Sequence, residues 1–285
     1  MRDKKLYDCF CYFNEDMLLE LRLETLWDYV DFFVISEANY THKGDSRSLN
    51  FDIGKFDKYK SKIRYQPLKD KPIGPNNFWG NENFIRNNLV NGLWDSNPND
   101  QIMISDLDEI PNPRQISAYN PRFLRGDFLQ NYYSYFLNNL WTGNTHKALL
   151  SNANAVLWPG TKITTKKHFM NFFKGNATSV RHYKSSGIMR SLKRLWFHKF
   201  NTQKIISGGW HFTWVLSIDD ILKKMDSTAH TFKNPLYRNK DYLFDMIQSN
   251  KDFQDPNKIY TKVKIDSSFP KPIQDNPDKY QKYLR

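Results

Sequence analysis

Three carboxylates within four positions, Asp106, Asp108 and Glu109, follow the run Ile102-Met103-Ile104 and precede Pro111 and Pro113. Aliphatic and β-branched residues extend a strand and proline cannot join its ladder, so the acids are expected at a strand's end. In open α/β sheets ligands bind beyond that end, and hard oxygen ligands gathered there suit Mg2+ or Mn2+. On an extended backbone Asp106 and Asp108 share a face while Glu109 points away, so the first two can address one cation and Glu109 is read as structural. The competing reading is a solvated acidic turn.

Four other places carry groups able to assist. His211 lies between Trp210 and Phe212 after Gly208-Gly209. Its neutral imidazole can complete a carboxylate-based Mn2+ site, or it is a hydrogen-bonded structural histidine; the glycines would let the backbone pass close to a bound ligand. His230 carries the same ambiguity. In Ser36-Glu37-Ala38-Asn39-Tyr40-Thr41, Glu37 or Asn39 could hold a ribose or sugar hydroxyl, unless the stretch is only an Asn-rich turn. Arg86 can meet a phosphate or pair with Glu82 four residues earlier. Asp219 and Asp220 follow Ser217 as in a helix cap, yet either could take a proton from an attacking hydroxyl.

The elements that must position these groups alternate at first. Leu6 to Phe13 reads as a strand, Asn14 caps a helix whose Leu18, Leu19, Leu23, Leu26, Trp27 and Val30 recur at helical spacing, and Asp31 to Ser36 is a second buried strand. The opening is therefore a right-handed, parallel βαβ unit. Phe51 to Lys62 suggests a short amphipathic helix, Ile63 to Pro67 a third strand, Glu82 to Trp94 a helix, and then comes the strand bearing the acids. After that the pattern loosens. Asp127 to Asn138 and Asn154 to Pro159 read as strands, Thr161 to Lys184 is not assignable, and Ile188 to Phe200 and Lys240 to Ser249 are helical. Tyr260 to Ile265 is a short strand. The class is α/β, a Rossmann-like mixed, mainly parallel sheet flanked by helices. One domain over 1–285 is expected, with a nucleotide-binding half over about 1–115 and an acceptor half with C-terminal helices over about 116–285.

Of the 285 residues, 39% are hydrophobic and 16% aromatic, which excludes a disordered chain. A formal charge of +12 suits nucleic acid, an anionic membrane surface or a phosphate-bearing substrate. Cys9 and Cys11 share one face of one strand, an awkward geometry for a disulfide, and imply a reducing compartment. Met1 to Lys5 is charged, and no stretch approaches the roughly 18 apolar residues of a membrane span. A cytoplasmic location is expected, with neither export nor an anchor. Trp79, Trp141, Trp158 and Trp210 are candidate sugar-stacking walls, of which at most two are expected to touch substrate.

In order along the chain, Tyr7-Asp8-Cys9-Phe10, Val34-Ile35-Ser36-Glu37-Ala38-Asn39-Tyr40-Thr41, Arg86, Ser105-Asp106-Leu107-Asp108-Glu109-Ile110-Pro111 and Gly209-Trp210-His211-Phe212-Thr213-Trp214 resemble the segments of glycosyltransferase family 17. The resemblance implies a GT-A type fold and a nucleotide-sugar donor, UDP-linked, with N-acetylglucosamine as a candidate sugar. It also implies Mn2+ or Mg2+ on a DxD motif at Asp106-Leu107-Asp108, with Asp108 and His211 on the metal and Asp106 on metal or ribose. Transfer with inversion to a glycan hydroxyl would use Asp219 as base; Asp220 and Glu37 stay as alternatives. The acceptor would be a lipid-linked or surface glycan, reached by peripheral association with a membrane and with no nucleic-acid partner. The rivals are a basic nucleic-acid- or glycan-binding protein and a metal-dependent nucleotidyl- or phosphotransferase.

Overall fold

The computed structural model describes residues 4–70, 72–74, 77–142, 151–152, 155–184 and 188–285. Its first half follows the predicted alternation. β1 (Leu6–Cys11), α1 (Asp16–Leu26), β2 (Phe32–Ala38), β3 (Ile63–Leu68), α2 (Phe78–Asn87) and β4 (Gln101–Asp106) build four parallel strands in the order β3-β2-β1-β4. Covered on both faces, β1, β2 and β4 are almost continuously buried, which is why they read as apolar runs. The polar exceptions inside them, Asp8, Ser36, Glu37 and Ser105, each have hydrogen-bond partners.

The second half extends the sheet. β5 (Glu109–Pro111), β6 (Arg125–Ser134), β7 (Asn139–Trp141), β8 (Ser151–Asn152) and β9 (Ala155–Thr165) precede the short helices α3 (Lys166–Asn171), α4 (Ala177–Arg181) and α5 (Arg190–Leu195). Then come β10 (Thr202–Thr213), α6 (Ile218–Ser227), α7 (Lys240–Gln248), β11 (Tyr260–Lys262) and α8 (Lys271–Asp275). β9 runs antiparallel between β4 and β6, β10 lies parallel to β6 and antiparallel to β5, and β11 closes the far edge on β7. The result is a mixed α/β sheet of eleven strands among the described residues, parallel at one end and mixed at the other.

Several elements differ from expectation. Residues 53–62 form a kinked 3-10 helix, and the helix read at Glu82 to Trp94 begins earlier, at the Asn77 cap, then tightens to 3-10 geometry over Asn88–Leu93. The unassigned Thr161 to Lys184 is the end of β9 plus α3 and α4, elements too short to show a period. The strand read at Asn154 to Pro159 is the start of β9; Asn154, like Met1 to Asp3 in the N-terminal stretch, lies outside the described residues. No helix among the described residues is long and apolar enough to cross a membrane.

Candidate active site

β4 stops at Asp106 because Leu107 and Asp108 turn the chain, and Glu109 begins β5, which runs back along β10. The extended geometry assumed from sequence is therefore absent across these acids. In the turn Asp106 and Glu109 converge on one guanidinium, while Asp108 has different neighbours. Arg181 of α4 donates to Asp106 Oδ2 at 2.8 Å and to both oxygens of Glu109. Arg86 of α2 donates to Asp106 Oδ1 at 3.0 Å and to Glu82 at 2.6 Å. Glu109 is buried and also accepts from Trp158 Nε1 at 2.8 Å and the backbone N–H of Asp106 at 3.1 Å. Enclosure by the protein raises the Asp106 carboxyl, but the Arg181 and Arg86 charges override it and hold it well below the usual carboxylate range.

Arg22 of α1 secures the same turn. Fully buried, it grips Asp8 of β1 through two bonds of 2.8 and 2.7 Å, and its Nη1 donates to the carbonyls of Asp106, Leu107 and Glu109 at 2.9, 3.1 and 3.1 Å. Only arginine offers a fork wide enough for a carboxylate and three carbonyls at once. The sequence reading missed Arg22 and Arg181. For the Arg22–Asp8 pair a partial signal existed, since Asp8 is the one charge in the otherwise buried β1 and needs a cation, and Arg22 is the one cation of α1.

Asp108 Oδ1 lies 3.6 Å from His211 Nε2, and its Oδ2 lies 3.7 Å from Lys224 Nζ of α6, which also approaches Glu15 at 3.4 Å. Burial raises the Asp108 carboxyl, and the neighbouring Lys224 and His211 outweigh it, so the net direction is down. For Lys224, burial favours the neutral amine but Asp108 and Glu15 raise it above the ordinary lysine value. His211 faces Glu109 and Tyr132 in the β10 register, edge-on to Tyr132 at 4.8 Å and tilted against Trp158 at 5.2 Å. Its Nδ1 is buried with no hydrogen-bond partner among the described residues.

These groups line a cleft of about 1540 Å³ at the carboxyl ends of β1 and β4. Among the described residues eleven Lys or Arg against seven Asp or Glu line it, so its field is positive and suits a diphosphate. Asp106, Asp108, Arg86 and His211 are thus brought together, and Trp141 and Trp158 join them in the lining.

Other sequence candidates stand elsewhere. Glu37 is enclosed by Arg47 at 2.9 Å, Tyr65 Oη at 2.8 Å and the backbone N–H groups of Asn50 and Phe51 at 2.7 and 3.0 Å, so it orders the loop after β2 and does not line the cleft. Asn39 meets the same loop through its backbone carbonyl, which accepts from Arg47 N–H at 2.8 Å, and it too is outside the lining. Asp219 is 65% exposed and paired with Lys240 at 2.6 Å, and Asp220 pairs with the Ser217 cap and Lys223. Neither lines the cleft. Trp210 is core, its Nε1 donating to the Ser268 carbonyl at 2.9 Å. The Gly208-Gly209 pair serves close passage past protein backbone: a Cβ on Gly209 would meet the Ile110 carbonyl oxygen at 2.3 Å, and one on Gly208 the Leu129 nitrogen at 2.5 Å.

Residues 1–125, from the N-terminus through β5 to the start of β6, match the model of glycosyltransferase family 17. Over these residues the chain is similar to family 17. The β-1,4-mannosyl-glycoprotein 4-β-N-acetylglucosaminyltransferases of Homo sapiens and Rattus norvegicus are each 35% identical over 107 residues, covering 34% of this chain and 20% of theirs. The chain thus spans about a fifth of the length of the curated relatives it matches. Among solved structures, S. aureus TarS aligns at 13% identity over 86% of this chain and 74% of its own, with a TM-score of 0.39. A glycosyltransferase involved in glycosylation of the major capsid of PBCV-1 aligns at 11% identity over 71% and 80%, with a TM-score of 0.31. The matched residues include Arg22, Arg86, Asp106, Asp108 and Glu109; Arg181, His211 and Lys224 come from beyond them.

Proposed function

We propose that the protein is a metal-dependent glycosyltransferase that moves a sugar from a nucleotide-sugar donor, UDP-linked, to a glycan hydroxyl with inversion. The observation that carries this reading is that the family 17 match includes the Asp106–Glu109 turn, and that this turn forms part of a large, positively charged cleft. Mn2+ or Mg2+ would be held by Asp108 and His211, whose facing atoms are close enough to touch one cation. No group of three or more His, Cys, Asp or Glu is gathered for a metal among the described residues. That composition fits ions which keep few protein ligands and take the rest of their shell from phosphate oxygens and water. Bound there, the ion would neutralise charge on the departing nucleoside diphosphate.

Asp106 remains with Arg86 and Arg181 in this scheme, and those guanidiniums, with Lys224, supply fixed positive charge beside the diphosphate. Trp158, pinned by Glu109 and 39% exposed, offers a flat face to a sugar ring. The base is not assigned to Asp219, given its pairing with Lys240. N-acetylglucosamine is the first sugar to test.

The test is incubation with a panel of UDP-, GDP- and CMP-sugars plus Mn2+, reading nucleotide release. One donor should be hydrolysed, and Asp108→Ala should lower the rate at least about 100-fold with its circular dichroism unchanged, in line with loss of several kcal/mol of charge stabilisation. No release from any donor, or full activity in Asp108→Ala, overturns the reading.

A further inference from the structure

Between positions 128 and 218 the chain has twelve Lys or Arg and not one Asp or Glu, a run as positive as the whole protein's formal excess of +12. Within it lies α5, continued by a π-helical turn over Trp196–Phe200. Of residues 188–200 only Phe197 is buried, wedged parallel to Phe172 at 5.7 Å and Tyr183 at 3.9 Å beneath the Arg125 guanidinium at 4.9 Å. Phe197 thus anchors the segment to the domain, Trp196 leans on Phe172 at 6.2 Å with about half of its surface free, and the remaining side chains are exposed.

Those outward side chains are not what water favours. Ile188, Met189, Leu192, Leu195, Trp196 and Phe200 are each about half exposed or more, Ile188 fully. Met189, Leu192, Trp196 and Phe200 recur every three or four residues, which aligns them along one side of the helix. Arg190, Lys193, Arg194 and Lys199 are interspersed, with no acid among them. A short helix with a Leu, Trp and Phe stripe flanked by cations is built to lie in a lipid headgroup region, where the stripe enters the acyl boundary and the cations meet anionic headgroups. Nucleic acid would engage the same cations but has no use for protruding leucines.

We propose that residues 188–200 dock this protein onto an anionic lipid bilayer. Arg190, Arg194 and His198 of this segment also line the cleft, so docking sets the cleft beside the membrane surface, where a surface-borne substrate would meet it. The docking does not depend on what reaction the cleft performs.

Co-sedimentation of the full chain with phosphatidylglycerol-containing vesicles and with pure phosphatidylcholine vesicles tests it. Binding is expected only to the anionic vesicles and should weaken in high salt. Lys193→Glu/Lys199→Glu should reduce partitioning by more than about 25-fold, taking roughly fivefold per basic residue near the surface. Leu192→Ser/Leu195→Ser should reduce it at least about tenfold through lost apolar insertion. These four residues do not line the cleft, and all are exposed, so both variants should keep the parent melting temperature. Absence of binding to anionic vesicles, or binding indifferent to the leucine pair, overturns the proposal. So does a lipid-free dimer that the leucine pair abolishes, or oligonucleotide binding that matches vesicle binding and ignores the leucines.

Discussion

Replacing Arg22 by Met keeps an unbranched stem about as long as the arginine's as far as Nε and removes its fork. The substitution leaves the fully buried Asp8 carboxylate without its guanidinium and takes the Nη1 donor from the carbonyls of Asp106, Leu107 and Glu109. Breaking a buried ion pair on one side costs about 3–5 kcal/mol, and carbonyls stripped of a donor add to it, so about 4 kcal/mol is a conservative expectation. Against a typical domain stability of roughly 5–15 kcal/mol that is a large fraction. Urea unfolding followed by circular dichroism should show the midpoint fall by about 1.3 M for a slope near 3 kcal/mol/M. The double change Arg22→Met/Asp8→Leu should recover part of the loss, since no buried charge is then stranded. At temperatures where Arg22→Met is still folded, donor hydrolysis should fall further than the folded fraction, because the turn bearing Asp108 has lost its support. A loss below about 1 kcal/mol, or a double variant no more stable than the single one, would refute the assignment of Arg22 as the anchor of the turn.

Asp219→Asn should leave donor hydrolysis within about twofold and cost no more than about 1 kcal/mol, as for any exposed ion pair; a collapse of activity would restore it as the base. Gly209 has φ of +125°, and a Cβ there would press on the Ile110 carbonyl and Asn112 nitrogen. Gly209→Ala is therefore expected to cost about 3 kcal/mol, read as a lowered melting temperature, and a neutral result would contradict the tight β5–β10 passage. His182, in the cleft, is pushed down to about 4 by burial and by the Arg181 and Arg86 charges. Between its ordinary value of 6.5 and that lowered one, only the unfolded chain takes up the proton, so this residue's contribution falls on acidification through that window and is whole again above it. NMR titration should place the His182 midpoint near pH 4, and His182→Gln should flatten the fall of melting temperature across the window; a midpoint near 6.5 would show that the arginines do not govern it.

Much of the parallel half was legible because its signals are local. Buried strands read as apolar runs whatever their neighbours. The second half was harder. β9 carries Pro159 and Gly160 inside a strand, α3 and α4 have six and five residues, and β10 is bulged between Ile205 and Gly209, so neither period survives long enough to be counted.

By itself the sequence determined that acids follow a buried strand, that a histidine lies amid aromatics late in the chain, and that positive charge dominates. Only the tertiary structure decided which of these meet. The turn at Leu107 and Asp108 sends Asp106 and Glu109 to Arg181, a residue more than seventy positions away, and turns Asp108 toward His211 and Lys224. A two-residue change of direction and long-range pairing leave no periodic trace in the chain, since both depend on how β4, α4, β10 and α6 converge on one cleft.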